Sequence, residues 1–329
     1  MKDQKISHPT SLTIIPREIN VYSAFPTLVV HEGRVYVFYR RGYKNPYQCH
    51  GLGGAVRRFE MDAALLLDAF SAGAPQCVYP LGRDITIFTS ENELDAIVSA
   101  PDGGVYTLCT RTYVRDAIAA TFVSHAPIPD FDGRNEVKID GIQWLVFYGK
   151  SMKWRNGFVF PAYGVLSGRG VMCPLVLFTR DFSAWSLISH VDAPSGCVLN
   201  ESSIAPHGPG YAMFMREDSG DRGIWVSQSE DLKLWSAPRK ILTAAHAPMA
   251  AVIGGEIFLS FRRLIGNGVS AAAYIKPYSG GGITDVEVYR GSLFDGGYTD
   301  WAVIGGRVFL VYYAGNEGGE PCIRMTEVY

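Results

Sequence analysis

The chain has 329 residues, 47% hydrophobic and 19% charged, enough to bury a large core as one or two domains. A formal net charge of −2 provides no broad field for nucleic acid or an anionic membrane, so electrostatic recognition has to be local. The opening "MKDQKISHPTSLTIIP" lacks the apolar stretch of a signal peptide, and no later segment is long enough to span a bilayer.

Thirty-six glycines, eighteen tyrosines and seventeen phenylalanines predict many short strands joined by tight turns. One unit recurs along the chain: an apolar strand, a glycine turn, a second apolar strand and a long polar side chain at its end. The first copy is "FPTLVVHEGRVYVFYRR", ending at Arg40 and Arg41. The segment "FEMDAALLLDAF" that follows (59–70) suits a helix or a strand equally well. The second copy, "DAIVSAPDGGVYTLCTR", ends at Arg111, and a degenerate third contains "KWRNGFVFPAYG". The fourth is "ESSIAPHGPGYAMFMR", ending at Arg216, and the fifth is "APMAAVIGGEIFLSFRR", ending at Arg262 and Arg263. The sixth is "YTDWAVIGGRVFLVYY", ending at Tyr312 and Tyr313. A period of roughly 50 residues, mostly strand, is that of propeller blades rather than helical solenoids. With no long linker in the chain, the expectation is an all-β, six-bladed β-propeller occupying residues 1–329 as one domain.

Two further segments, "TRDFSAW" (179–185) and "SQSEDLKLW" (227–235), share the pattern Ser/Thr-x-Asp-Phe/Leu-x-x-Trp. An Asp that closes a turn and a Trp packed between sheets account for both, so these motifs are read as structural.

In an antiparallel hairpin the start of the first strand and the end of the second share one edge. In a propeller that edge surrounds the axis. Counting back along each copy places Arg40 or Arg41, Arg111, Arg216, Arg262, Glu201, Asp95, His246 and Tyr298 on one face. A single arginine at a strand end is ordinarily a solvated or ion-paired surface group. Several aimed at one axis suit a ligand carrying a carboxylate or phosphate, because each guanidinium offers a planar fork of donors. By the same ordinary reading Glu201 merely ties two strands through Arg216, and Tyr298 is an aromatic plug with a wet hydroxyl.

These segments resemble the six-bladed sialidase superfamily in its BNR-repeat form. "NESSIAPHGPGYAMFMR" is similar to the family's blade-four segment, and "GYTDWAVIGGRVFLVYY" to the segment that carries its catalytic tyrosine. "KWRNGFVFPAYG" resembles the blade-three strand, and the two Asp–Trp turns resemble Asp boxes one residue short of the usual spacing. The resemblance implies an exo-glycosidase that releases a terminal 2-keto-3-deoxy sugar acid, sialic, pseudaminic or a related nonulosonic acid. Tyr298 would attack the anomeric carbon, Glu201 would be its base, and Arg216 and Arg262 would grip the sugar carboxylate. The family's first arginine is missing from "SAFPTL", and no acidic residue stands in the loop "RRGYKNPYQCHGLGGAV", where the family has its general acid. That region is closer to divergent pseudaminidase-like relatives, in which a Tyr and a His lie near the pocket. Tyr22 and His50 match them, and His50 is suited to acid or base work near neutral pH.

Two other readings stay open: a carbohydrate-binding propeller without chemistry, such as a lectin or phage receptor-binding module, and a propeller glycosidase of the arabinanase or fructosidase kind. Six cysteines without CxxC pairing and seven scattered histidines predict reduced thiols and no metal, and nothing calls for a cofactor. The expected partner is a glycan or sugar-acid substrate, with no nucleic acid and no membrane insertion. The expected location is the cytoplasm, or release without a signal peptide in association with a bacterium or phage.

Overall fold

The computed structural model describes the chain apart from residues 1–9, 44–52, 74–76, 91–92, 103, 116, 129–130, 132, 267–268, 277, 279–284, 292–295, 316–319 and 329. For residues 90, 93–97, 101–102 and 269–270 it describes the backbone alone. Six antiparallel sheets follow one another along the chain, each with four strands in sequence order except the third, whose innermost position is filled by two short strands, and the last, whose outermost strand comes from the start of the chain. The fold is the expected six-bladed β-propeller. Ring closure comes from Ser11–Ile15, which leaves the start of the chain to become the outermost strand of the last blade, paired with Cys322–Val328.

The blades read as continuous apolar runs because both faces of each sheet are covered. Six buried clusters are found among the described residues, and each lies between two neighbouring blades. Leu12 and Ile14 of the closing strand pack with Tyr22, Val37 and Phe309 between blades six and one, so the closure is a hydrophobic seam as well as a hydrogen-bonded one.

The segment left open between helix and strand does both. Strand Gly54–Asp62 ends at Asp62, whose carboxylate accepts from Ala64 N (2.8 Å) and Leu65 N (3.3 Å) and caps helix Ala63–Ser71. The two Asp–Trp segments are turns between the third and fourth strands of blades three and four. Asp181 Oδ1 accepts from Ser183 N (2.9 Å) and Ala184 N (3.3 Å), and Asp231 Oδ1 from Lys233 N (2.9 Å) and Leu234 N (3.2 Å). Trp185 packs against Phe147 and Phe160, with ring centroids 5.1 Å apart in each case.

The inner strands carry an irregularity that the repeat does not announce. In blade one, Ala24 pairs Arg40 and Thr27 pairs Phe38, so three steps on one strand match two on its partner. The same single-residue excess occurs between Leu94 and Ile97, Leu199 and Ser202, His246 and Met249, and Gly296 and Thr299. In blade three the excess is larger: Ile142–Phe147 and Met152–Trp154 are separated by Tyr148, Gly149, Lys150 and Ser151. Each inner strand therefore has a bulge at the same level, which breaks the in–out alternation and swings extra side chains toward the axis. Phe25, Ala247 and Gly297 reach positive φ there (54°, 54° and 80°).

Gly297 immediately precedes Tyr298. A Cβ on it would meet Ala271 O at 2.7 Å and Arg262 Cγ at 3.2 Å, in a backbone conformation that side chains rarely adopt. Gly297→Ala is expected to cost about 1–3 kcal/mol of stability, read as a lowered midpoint in thermal denaturation. An unchanged midpoint would show that the bulge relaxes freely.

Candidate active site

All six blades contribute to one cavity of about 330 Å³ on the axis, within the size range of small-molecule sites. The bulges supply its functional groups. Glu201 follows Asn200 in the blade-four bulge, and Asn200 Oδ1 accepts the Glu201 backbone N–H at 2.7 Å, which fixes the local turn. Tyr298 follows Gly297 in the blade-six bulge.

These two side chains meet across the axis. Tyr298 Oη donates to Glu201 Oε1 at 2.7 Å, and Arg216 Nη1 donates to both Glu201 Oε2 and Tyr298 Oη at 3.0 Å. Burial, followed by the Glu201 charge, pushes the Tyr298 phenol well above its ordinary range, against the opposing pull of Arg216 and Arg262. The phenol is therefore neutral, and its proton already points at a carboxylate oxygen. Burial works against the Arg216 charge, but Glu201, Tyr298 and Asp218 outweigh it and hold the guanidinium protonated.

The other nitrogen of the same fork is also engaged. Arg216 Nη2 lies 2.6 Å from Asp218 Oδ1, and Asp218 Oδ2 accepts from Asn200 Nδ2. Asp218 lies two residues beyond Arg216, and the period-two spacing of an extended chain is the signal that could have picked it out. Across the cavity, Arg111 Nη1 donates to Tyr163 Oη at 3.1 Å beside an apolar wall of Trp144, Val146 and Met172.

Lys150, absent from the sequence candidates, enters the cavity from the gap in the blade-three inner strand. Its Nζ contacts Asp300 Oδ1 (3.1 Å), Leu28 O (3.1 Å) and Trp301 O (3.0 Å). Asp300 in turn accepts from Leu28 N and Trp301 N, both at 2.7 Å. Burial raises the Asp300 carboxyl, while Lys150 and the two backbone donors oppose that shift. These contacts tie blades one, three and six together across the axis.

Several sequence candidates lie elsewhere. Arg262 is buried behind Tyr298 and not on the cavity wall: its guanidinium lies over the Tyr298 ring at 4.5 Å and donates to Gly296 O (2.5 Å) and Tyr313 Oη (3.0 Å). Arg40 is likewise buried, 5.9 Å from the Tyr22 ring centroid, and Tyr22 itself packs inside the blade six–one seam. Arg41 turns outward to Glu18 at 2.5 Å. His246 is buried and absent from the cavity wall. The cause is an aromatic layer: Phe25 contacts Tyr298 at 5.1 Å and Tyr313 at 5.3 Å, and this layer separates the blade-one and blade-five arginines from the cavity. Flat guanidiniums stack well beneath such rings. His50 lies outside the described residues. Asp95 lies on strand Glu93–Asp102, and only its backbone is described.

No protein-family model and no curated protein matches the sequence. Solved structures do match. Trypanosoma rangeli sialidase in complex with sialic acid superposes with a TM-score of 0.66 at 12% identity, over 97% of this chain and 57% of that one. The same organism's sialidase with 2,3-difluorosialic acid, a covalent intermediate, gives 0.64 at 11%, over 95% and 57%. Penicillium chrysogenum alpha-L-arabinanase complexed with arabinobiose gives 0.62 at 10%, over 97% and 98%. The chain thus has the propeller fold found in sialidases, and spans 57% of the length of those sialidase chains.

The buried His246 has a consequence for stability. Burial, then the charges of Arg216, Arg262 and Arg222, lower its pKa from 6.5 to about 3. The unfolded chain therefore binds a proton below 6.5 that the folded chain refuses until about 3. This contribution to stability is complete above 6.5 and declines as pH falls toward 3. The thermal midpoint should drop on acidification through that window, and His246→Gln should flatten the drop.

Proposed function

We propose that this protein is an exo-glycosidase of the sialidase type that releases a terminal 2-keto-3-deoxy sugar acid, with Tyr298 as nucleophile and Glu201 as its base. The reading is carried by one observation, the 2.7 Å hydrogen bond from Tyr298 Oη to Glu201 Oε1 under the shared Arg216 donor. The anomeric carbon of such a sugar bears a carboxylate, which repels an anionic nucleophile. A neutral phenol that gives up its proton only during attack avoids the repulsion, and tyrosine is the known exception to paired-carboxylate catalysis. Arg216 supplies the countercharge beside the reacting carbon, and Arg111 a second cation on the opposite wall. The fold likeness to a sialidase holding sialic acid, and to one holding a covalent intermediate, supports the same reading.

A second reading is a glycosidase for neutral sugars. Among the described residues of the cavity wall, the carboxylates Glu201, Asp218 and Asp300 equal in number the cations Arg111, Lys150 and Arg216. The arabinanase likeness covers nearly all of both chains.

The test is sugar release from glycosides of several 2-keto-3-deoxy sugar acids and from neutral arabinosides. Tyr298→Phe should abolish release of the sugar acid with the circular dichroism spectrum unchanged, and Glu201→Gln should slow it by about 10²–10⁴-fold. Near-normal turnover by Tyr298→Phe removes the nucleophile assignment. Binding of a sugar acid without its release identifies a carbohydrate-binding propeller, and release of arabinose alone identifies the second reading.

A further inference from the structure

We propose that Asp218 is the proton donor for cleavage of the glycosidic bond, and that it assumes this role when the substrate's carboxylate displaces it from Arg216. The inference rests on the sugar-acid reading given above.

Three carboxylates reach the cavity among the described residues, and two of them are committed. Asp300 is 1% exposed at its side chain and held by Lys150 and two backbone N–H groups. Glu201, 10% exposed, is divided between Tyr298 and Arg216. Asp218 is 31% exposed, and its anchors are Arg216 Nη2 and Asn200. Of these three it is therefore the carboxylate best placed to turn toward a leaving group.

The geometry also supplies the trigger. Arg216 spends Nη1 on the Tyr298–Glu201 pair and Nη2 on Asp218. A substrate with its anomeric carbon at Tyr298 Oη brings its own carboxylate against this guanidinium, where Nη2 is the edge that a competing carboxylate can take. Asp218 already occupies that edge as an internal stand-in for the ligand. Of the other ionisable groups around the cavity, Lys150 and Asp300 neutralise each other, Arg111 bonds Tyr163, and Tyr148 and Tyr298 are neutral phenols. Once displaced, Asp218 faces Glu201 and the bound carboxylate without its cation, and like charges at close range favour uptake of a proton from solvent.

In the first step Tyr298 Oη bonds to the anomeric carbon as the bond from that carbon to the glycosidic oxygen breaks. The phenolic proton passes to Glu201, and the Asp218 proton passes to the departing oxygen. In the second step the Asp218 carboxylate takes one proton from a water whose oxygen bonds to the anomeric carbon. The Tyr298–carbon bond breaks as that new bond forms, and Tyr298 recovers its proton from Glu201. The net change is addition of one water.

A proton donor matters in proportion to how poor the leaving group is. Wild type, Asp218→Asn and Asp218→Ala are assayed on the 4-methylumbelliferyl and lactosyl glycosides of sialic acid, or on the same pair for whichever sugar acid the wild type releases. Asp218→Asn is expected to lose about 10²–10⁴-fold in kcat on the lactosyl glycoside, and less than about tenfold on the aryl one, which leaves unaided. Added formate is expected to restore part of the activity of Asp218→Ala on the lactosyl glycoside. Equal losses on both glycosides would make Asp218 a positioning residue and overturn the proposal. So would an undiminished or improved rate, which would make it only a competitor for Arg216. Wild-type turnover is measured first: its absence on every sugar acid defeats the sugar-acid reading and this proposal with it, whereas wild-type turnover with either contrary pattern defeats this proposal alone.

Discussion

The site depends on one guanidinium. Glu201 is almost wholly buried, Tyr298 stands in an aromatic layer, and Asp218 shares their corner, so three groups that are anionic or can become so converge in low-dielectric surroundings. Without a cation that convergence is unfavourable, because a buried charge that lacks a partner loses its hydration with nothing in return. Arg216 answers all three at once, since its fork presents one nitrogen to the Tyr298–Glu201 pair and the other to Asp218. A lysine, with a single point charge, has no such second edge. The hydroxyl of Tyr298 is held on a line to Glu201 in the same corner, which is the preorganisation that the proposed nucleophilic role requires.

Two devices of the scaffold keep that corner in place. The bulge in each inner strand adds a side chain where the blades converge, and positive φ at Phe25, Ala247 and Gly297 is part of its geometry. The Lys150–Asp300 contact then joins the inner strands of blades one and six to the interrupted strand of blade three through Leu28 and Trp301. Blade three, whose apolar seams are with blades two and four, is thereby joined to blades one and six by polar contacts at the level of the cavity. Asp300, a buried carboxylate on strand Gly296–Ile304, is the acceptor at the centre of this link.

The likeness between the repeat copies was enough to read the architecture, because a blade needs two apolar faces and a tight hairpin, and both leave periodic marks in the chain. The Tyr298–Glu201–Arg216 group was legible for the same reason: equivalent positions in different blades fall at equivalent heights on the axis. Depth around the axis was not legible. Arg40, Arg216 and Arg262 end equivalent strands, yet Arg216 faces the cavity while the other two lie beneath aromatic rings contributed by other strands. Lys150 and Asp218 escaped notice because one comes from a break in a strand and the other from just past a strand end, where the repeat no longer constrains the chain.

The amino-acid sequence by itself determined the six-fold strand order and the common face of Tyr298, Glu201 and Arg216. Both follow from periodicity, which is local and repeats. Only the tertiary structure decided which cations reach the cavity and which carboxylates they hold. That outcome depends on the bulges and on packing between different blades, where one extra residue or one covering ring turns an equivalent side chain from ligand-facing to buried.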